Sequence, residues 1–179
     1  MSKKTREERK RLVIEALNKA RAMELQAIYQ YMNQHYTLDD KDFGELARNV
    51  KLIAIDEMRH AEMLAERIKE LGGEPTVDPL EKITREQTVE KIFPFDSDLE
   101  DITIDEYNEF LKVCRENGDS LSARLFETLI DEEQEHLNYF DNINDHIDSL
   151  GSAYLARIAG TPSSTGGPSK GFVLSGEGE

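Results

Sequence analysis

The chain has 179 residues, 38% hydrophobic and 33% charged, with a net charge of −15 and no tryptophan. That length supports one domain with a full core, while so acidic a surface argues against direct binding to nucleic acid or an anionic membrane. The single cysteine, Cys114, excludes an internal disulfide and any four-cysteine metal module.

Four long amphipathic segments follow in chain order. From Val13, the positions Leu17, Ala20, Glu24, Ala27 and Tyr31 step by four and three, the inward seam of a helix expected from near Arg6 to near Tyr36. Thr37-Leu38-Asp39-Asp40 reads as a turn and N-cap. A second helix carries Leu46, Val50, Ile53, Glu57, His60 and Leu64 inward and stops at Gly72-Gly73 and Pro75. Residues 74–87 have no period and contain Pro75 and Pro79, so they form a long connection. A third helix has the seam Glu100, Thr103, Tyr107, Phe110 and Cys114. It starts either near Thr88, with a bend at Pro94, or at Ser97, where Ser97-x-x-Glu100 mimics a capping box; the earlier start is the preferred reading. After Gly118-Asp119, a fourth helix carries Phe126, Leu129, Glu133, His136, Phe140, Ile143, Ile147 and Leu150. A short fifth helix follows around Ala153–Ile158. Two regions result: a helical unit over 1–159, and a Gly-, Ser- and Pro-rich tail over 160–179 that is expected to be mobile.

The long second connection can run the length of the bundle and place the third helix parallel to the second, so that the two halves are related by a pseudo-twofold axis. The expected fold class is all-α: a four-helix bundle with one long crossover and a short fifth helix. No apolar run reaches 18 residues, and the N-terminus Lys3-Lys4-Thr5-Arg6-Glu7-Glu8 does not read as a signal peptide, so a cytoplasmic protein is expected.

One pattern on these seams occurs twice. Glu24 is followed by Glu57-x-x-His60, and Glu100 by Glu133-x-x-His136, with every member of the second set 76 positions after its partner. Tyr31 and Tyr107 share the offset, as do Asp56 and Glu132. A single Glu-x-x-His on a helix is usually a solvated pair. Two copies, each matched to a lone seam glutamate at the same distance, point instead to a built site. Burying a bare carboxylate costs several kcal/mol, and four together repel one another. Two divalent cations remove the conflict, since four charges of −1 cancel two of +2 with both imidazoles neutral. One glutamate from each of two helices plus Glu-x-x-His from each of the other two is the ligand set of a ferritin-like dinuclear carboxylate bundle. Glu57 and Glu133 are then bridging ligands, Glu24 and Glu100 terminal ones, and His60 and His136 each serve one ion. Oxygen-rich ligation with one imidazole per ion suits iron or manganese better than structural zinc. Asp56 and Glu132 are assigned to orient the imidazole of the opposite half. Tyr31 and Tyr107 are assigned a hydrogen-bonding role beside the ions, with a redox role as the rival. Met58 points about 100° off the seam, on a side shared with Ala54, Ile55, Ala61 and Ala65, which implies contact with a second chain.

The stretch Ile55-Asp56-Glu57-Met58-Arg59-His60-Ala61-Glu62 with Glu66-Arg67-Ile68 resembles the bacterioferritin signature. Glu24-Leu25-x-Ala27-Ile28-x-Gln30-Tyr31 and Asp131-Glu132-Glu133-x-x-His136 resemble it too. The resemblance covers residues 10 to about 159 and is closest in flavour to the bacterioferritins of sulfate-reducing bacteria. It implies a cage of 24 subunits built from twofold dimers, a ferroxidase centre of two iron ions in each bundle, and a stored ferric mineral. It also implies a haem between paired subunits, its iron held by Met58 from each side; soft thioether ligands favour the reduced state. The implied activity is iron storage and detoxification through oxidation of Fe(II) by O2 or H2O2, with a small electron-transfer protein as a further partner. Pro94 and the length of the tail after Gly160 depart from the family pattern. Three rivals are a rubrerythrin-like di-iron peroxidase, a mini-ferritin-type protective cage and a purely structural bundle with protonated acids. The first normally adds a four-cysteine module that one cysteine cannot build. The second shares its ligands between subunits, whereas here six lie on one chain.

Overall fold

The computed structural model describes residues 4–165 and 171–173. It contains α1 (Arg6–Asp40), α2 (Gly44–Glu70), α3 (Val89–Glu116), α4 (Ser120–Leu150) and the short α5 (Ser152–Ile158). The expected all-α bundle with one long crossover is what forms.

Local chemistry explains most boundaries. At the start of α1, Glu8 donates its N–H to Thr5 Oγ1 while the Glu8 carboxylate accepts the Thr5 N–H, a reciprocal cap. Asp119 caps α4 by accepting from the N–H groups of Leu121 and Ser122. Its carboxylate is also held by both oxygens to Arg67 Nη2 at 2.9 Å, which ties the end of α2 to the α3–α4 turn. Gly118 turns the chain there at φ +76°, a conformation favoured by the missing Cβ.

One boundary differs from the sequence reading, and one open choice is settled. Helix α1 does not stop at Tyr36 but runs through Thr37–Asp40, and the turn falls at residues 41–43 with Asp42 at φ 65°. Thr37 is accommodated because its hydroxyl donates to the Asn33 carbonyl one turn back. Helix α3 starts at Val89, as preferred, and Pro94 lies inside it. Pro94 is in the second turn, so only the bond to the carbonyl of residue 90 is lost. Ser97 is therefore no cap; its hydroxyl pairs with Asp141 of α4.

The crossover is stitched to α1 by a stripe of residues spaced four apart. Asn18 binds Glu74 O and the Thr76 N–H, and Ala22 O accepts from Leu80. Gln26 accepts from Glu81, Gln30 exchanges two bonds with Thr84, and Gln34 donates to Gln87. The chain leaves α2 beside the first part of α1 and climbs about 24 Å along it. It delivers α3 antiparallel to α1, hence parallel to α2.

The core forms two apolar blocks. One gathers Tyr31, Leu38, Leu46, Val50, Phe93 and Phe140, the other Val13, Leu17, Leu64, Tyr107, Phe110 and Phe126. Nearly every seam residue is buried, the exception being Leu150, which is 55% exposed. The proposed small-residue stripe beside Met58 needs correction: Ala54 and Ala61 are covered by this chain's own packing, while Met58 is 50% exposed.

Of the segment expected as a mobile tail, Gly160 donates to Asp42 O, and the Thr161 hydroxyl accepts from the Glu45 N–H at the start of α2. Phe172 is buried in the first apolar block. Residues 166–170 and 174–179 lie outside the described residues.

Candidate metal centre

Between the two apolar blocks lies a polar layer. Glu24 from α1, Glu57 and His60 from α2, Glu100 from α3, and Glu133 and His136 from α4 are all buried, each at most 2% exposed. The helix period puts Glu57 and His60, and Glu133 and His136, one turn apart on a single face, and the antiparallel pairing points the two faces at each other. All six sequence-predicted ligands are brought together.

They form two overlapping groups. Glu24, Glu57, His60 and Glu133 can offer ligand atoms within 4.8 Å of one another, and so can Glu57, Glu100, Glu133 and His136. Glu57 and Glu133 belong to both. His60 Nδ1 is 2.9 Å from Glu57 Oε2, 3.1 Å from Glu133 Oε1 and 3.6 Å from Glu24 Oε1. His136 Nδ1 mirrors this at 3.0 Å from Glu133 Oε2, 3.2 Å from Glu57 Oε1 and 4.0 Å from Glu100 Oε1. The imidazoles face each other with ring centres 5.8 Å apart.

Each terminal carboxylate is held by a tyrosine from the other half. Tyr31 OH donates to Glu100 Oε1 at 2.5 Å, and Tyr107 OH donates to Glu24 Oε1. Burial, then the adjacent carboxylates, push both phenols well above their ordinary range, so they stay neutral donors. On the outer side of the imidazoles, His60 Nε2 lies 3.0 Å from Glu132 Oε2 and His136 Nε2 lies 3.6 Å from Asp56 Oδ2. Each outer carboxylate thus faces the imidazole of the opposite half, as the repeat offset predicts.

Arg59 was not singled out by the sequence. Its guanidinium pairs with Asp56 through Nη1 and with Glu132 through Nη2, the latter at 3.1 Å, so one fork steadies both outer carboxylates. The only sequence signal is its i+3 spacing from Asp56.

Burial, reinforced by the charges of Glu133 and Glu57, pushes the Glu24 and Glu100 carboxyls well above the usual range. Burial also opposes ionisation of Glu57, but His136 and His60 outweigh it and hold that carboxyl far below the usual range. Burial disfavours charge on the imidazoles, yet Glu133 beside His60 and Glu57 beside His136 keep both protonated well above their ordinary value. Protons on these groups balance the charge, and an entering cation displaces them. The donor set fits hard divalent cations: carboxylates dominate, and Glu57 Oε1 and Glu133 Oε1 are buried acceptors with no hydrogen bond.

On the α1–α3 face, a pocket of about 230 Å³ is lined by Met23 and Ala27 of α1, Leu99 and Thr103 of α3, and Leu80 and Glu81 of the crossover. On the α2–α4 face, Phe172 stacks edge-on against His136 with ring centres 6.2 Å apart. Met58 stands apart from the centre, on the outer surface of α2.

A ferritin-like domain family model matches residues 14–150. A bacterioferritin of Desulfovibrio desulfuricans is 67% identical over 168 residues, covering 94% of each chain, and one of Streptomyces coelicolor is 36% identical, covering 82% of this chain and 88% of that one. A crystal structure of the D. desulfuricans protein, described as having a diiron site in different catalytic states, superposes with a TM-score of 0.92 at 65% identity. It covers 95% of this chain and 99% of that one. The BfrA bacterioferritin of Mycobacterium tuberculosis superposes with a TM-score of 0.78 at 32% identity, covering 82% and 93%.

Proposed function

The chain belongs to the bacterioferritin family, and from that membership we propose that it stores iron by oxidising Fe(II) to Fe(III) at a dinuclear centre in each bundle. The observation that carries this reading is the pair of buried ligand groups sharing Glu57 and Glu133. Two Fe(II) ions are the substrate. Glu57 and Glu133, common to both groups, would be shared by the two ions, with Glu24 and His60 completing one set and Glu100 and His136 the other. Four carboxylate charges cancel the two ions, and the hard oxygen donors favour the ferric product.

The chain's own groups do the rest. Tyr31 and Tyr107 hold the terminal carboxylates in place, Asp56 and Glu132 fix the imidazoles, and the flanking apolar blocks exclude water. Two adjacent Fe(II) ions deliver two electrons together, so one H2O2 takes up two protons and leaves as two waters. With O2 as oxidant, the same pair of electrons and protons gives H2O2. The helical unit 1–159 carries this activity.

Haem would sit on the outer surface of α2, where Met58 is half-exposed and offers a soft thioether. Met58 from each of two paired chains would hold the haem iron, which supplies an electron path inward for release of stored iron. The assembly is a 24-subunit cage built from twofold dimers and located in the cytoplasm. No helix among the described residues is long and apolar enough to cross a membrane. A small electron-transfer protein would reduce the haem. The mini-ferritin reading fits less well, because here every ligand of both groups comes from one chain.

Anaerobic loading followed by stopped-flow mixing with O2 or H2O2 tests the centre. A fast oxidation phase that saturates at two Fe(II) per chain is expected, and one that saturates at one overturns the dinuclear reading. Met58→Leu is expected to remove the haem absorption bands while leaving that phase unchanged.

A further inference from the structure

The two imidazoles are backed unequally. His60 Nε2 meets Glu132, whose side chain is 16% exposed. His136 faces Asp56, which is fully buried, and behind Asp56 lies a piece of the C-terminal segment. The Val173 N–H donates to Asp56 Oδ2 at 3.0 Å, on the same oxygen that faces His136 Nε2. Asp56 Oδ1 takes Arg59 Nη1. A buried carboxylate without such donors is costly, so these two hold it in place. Phe172, 1% exposed, packs against His136 and, with ring centres 5.2 Å apart, against Tyr139. Gly171 sits at φ +87°, and a Cβ there would overlap the Asp56 carboxylate and crowd Arg59, so the close approach needs glycine. Nothing comparable backs His60 among the described residues.

We propose that Gly171, Phe172 and Val173 form a strap that positions Asp56 against His136 and seals that half-site from the α2–α4 side. The inference rests on the dinuclear reading. Its consequence is that the two metal positions are unequal: the ion served by His136 exchanges more slowly, and traffic to the centre favours the α1–α3 face, where the pocket lies.

Cobalt(II) tests this without turnover. The full-length chain, Phe172→Ala, Phe172→Leu and a chain ending at Thr165 are each loaded anaerobically and challenged with a chelator, and loss of the cobalt absorption bands is followed. In Phe172→Ala and the shortened chain, one of the two ions should leave about tenfold faster and the other at the wild-type rate, with Phe172→Leu close to wild type. In the metal-free proteins, diethyl pyrocarbonate should modify His136, read by mass spectrometry, faster in the two disrupted variants and leave His60 unchanged. Two bound ions released at wild-type rates in every variant, or both accelerated alike, overturn the strap alone. A wild-type chain that binds no cobalt overturns the dinuclear reading and the strap with it.

Discussion

Inside the bundle, the two halves of the chain are nearly interchangeable, whereas just outside it they part company. Glu24, Tyr31, Glu57 and His60 find the same kinds of partner as Glu100, Tyr107, Glu133 and His136, at distances that agree within about half an ångström. The outer carboxylates Asp56 and Glu132 still pair across the halves, but what surrounds them does not repeat. Met58 and Arg59 of the first half correspond to Gln134 and Glu135 of the second. Arg59 reaches both outer carboxylates, and of these two the C-terminal strap bonds Asp56. The chemistry demands symmetry only where two ions share ligands. Beyond that, each half is free to serve its own surroundings.

The largest expected effect tests the inner equivalence. Glu57→Ala and Glu133→Ala should each reduce fast Fe(II) oxidation to the uncatalysed background, with helix content by circular dichroism unchanged. If either variant keeps the fast phase, the two bridges are not equivalent. Next comes the outer inequality. Asp56→Asn should weaken one cobalt ion about tenfold, and Glu132→Gln should weaken the other by less, because partial exposure lets water replace the lost contact. Equal losses in anaerobic titrations would break the contrast.

Tyr31→Phe and Tyr107→Phe return to the inner layer. Each removes the donor from one buried carboxylate, which costs about 1–3 kcal/mol, and the two melting temperatures of the metal-free proteins should fall together. The smallest effect is the pH dependence. His60 and His136 are held protonated well above their ordinary value of 6.5, so their contribution to stability is fully present below that value and is lost as pH rises. Metal binding displaces those protons and is favoured in the same direction. The melting temperature of the metal-free protein should therefore decline from pH 6.5 upward, while the gain produced by added metal grows. A gain that is flat with pH would mean the imidazoles bind without losing protons.

Much of this was legible in the sequence for a physical reason. Acids on the inward seams cannot be solvated, so Glu24, Glu57, Glu100 and Glu133 had to be explained, and the repeat explained them together. The seam also fixed which helix faces meet. What escaped notice lay on surfaces that look ordinary. Asn18, Gln26, Gln30 and Gln34 read as a solvated face until the crossover is seen lying along them. Arg59 is one more charge on a charged helix, and its role depends on where Asp56 and Glu132 converge. The α1 boundary was misplaced because Thr37, Asp39 and Asp40 suit a cap as well as a final turn. Phe172 was hidden by its Gly- and Ser-rich neighbours, since low average hydropathy conceals a single well-placed ring.

The ligand groups draw on both halves: Glu133 completes the set around His60, and Glu57 completes the set around His136. A lone helical hairpin built like either half could not surround even one cation. Any forerunner half this long would have had to meet a second copy of itself first. In one polypeptide the two halves meet permanently, held by the crossover instead of by protein concentration.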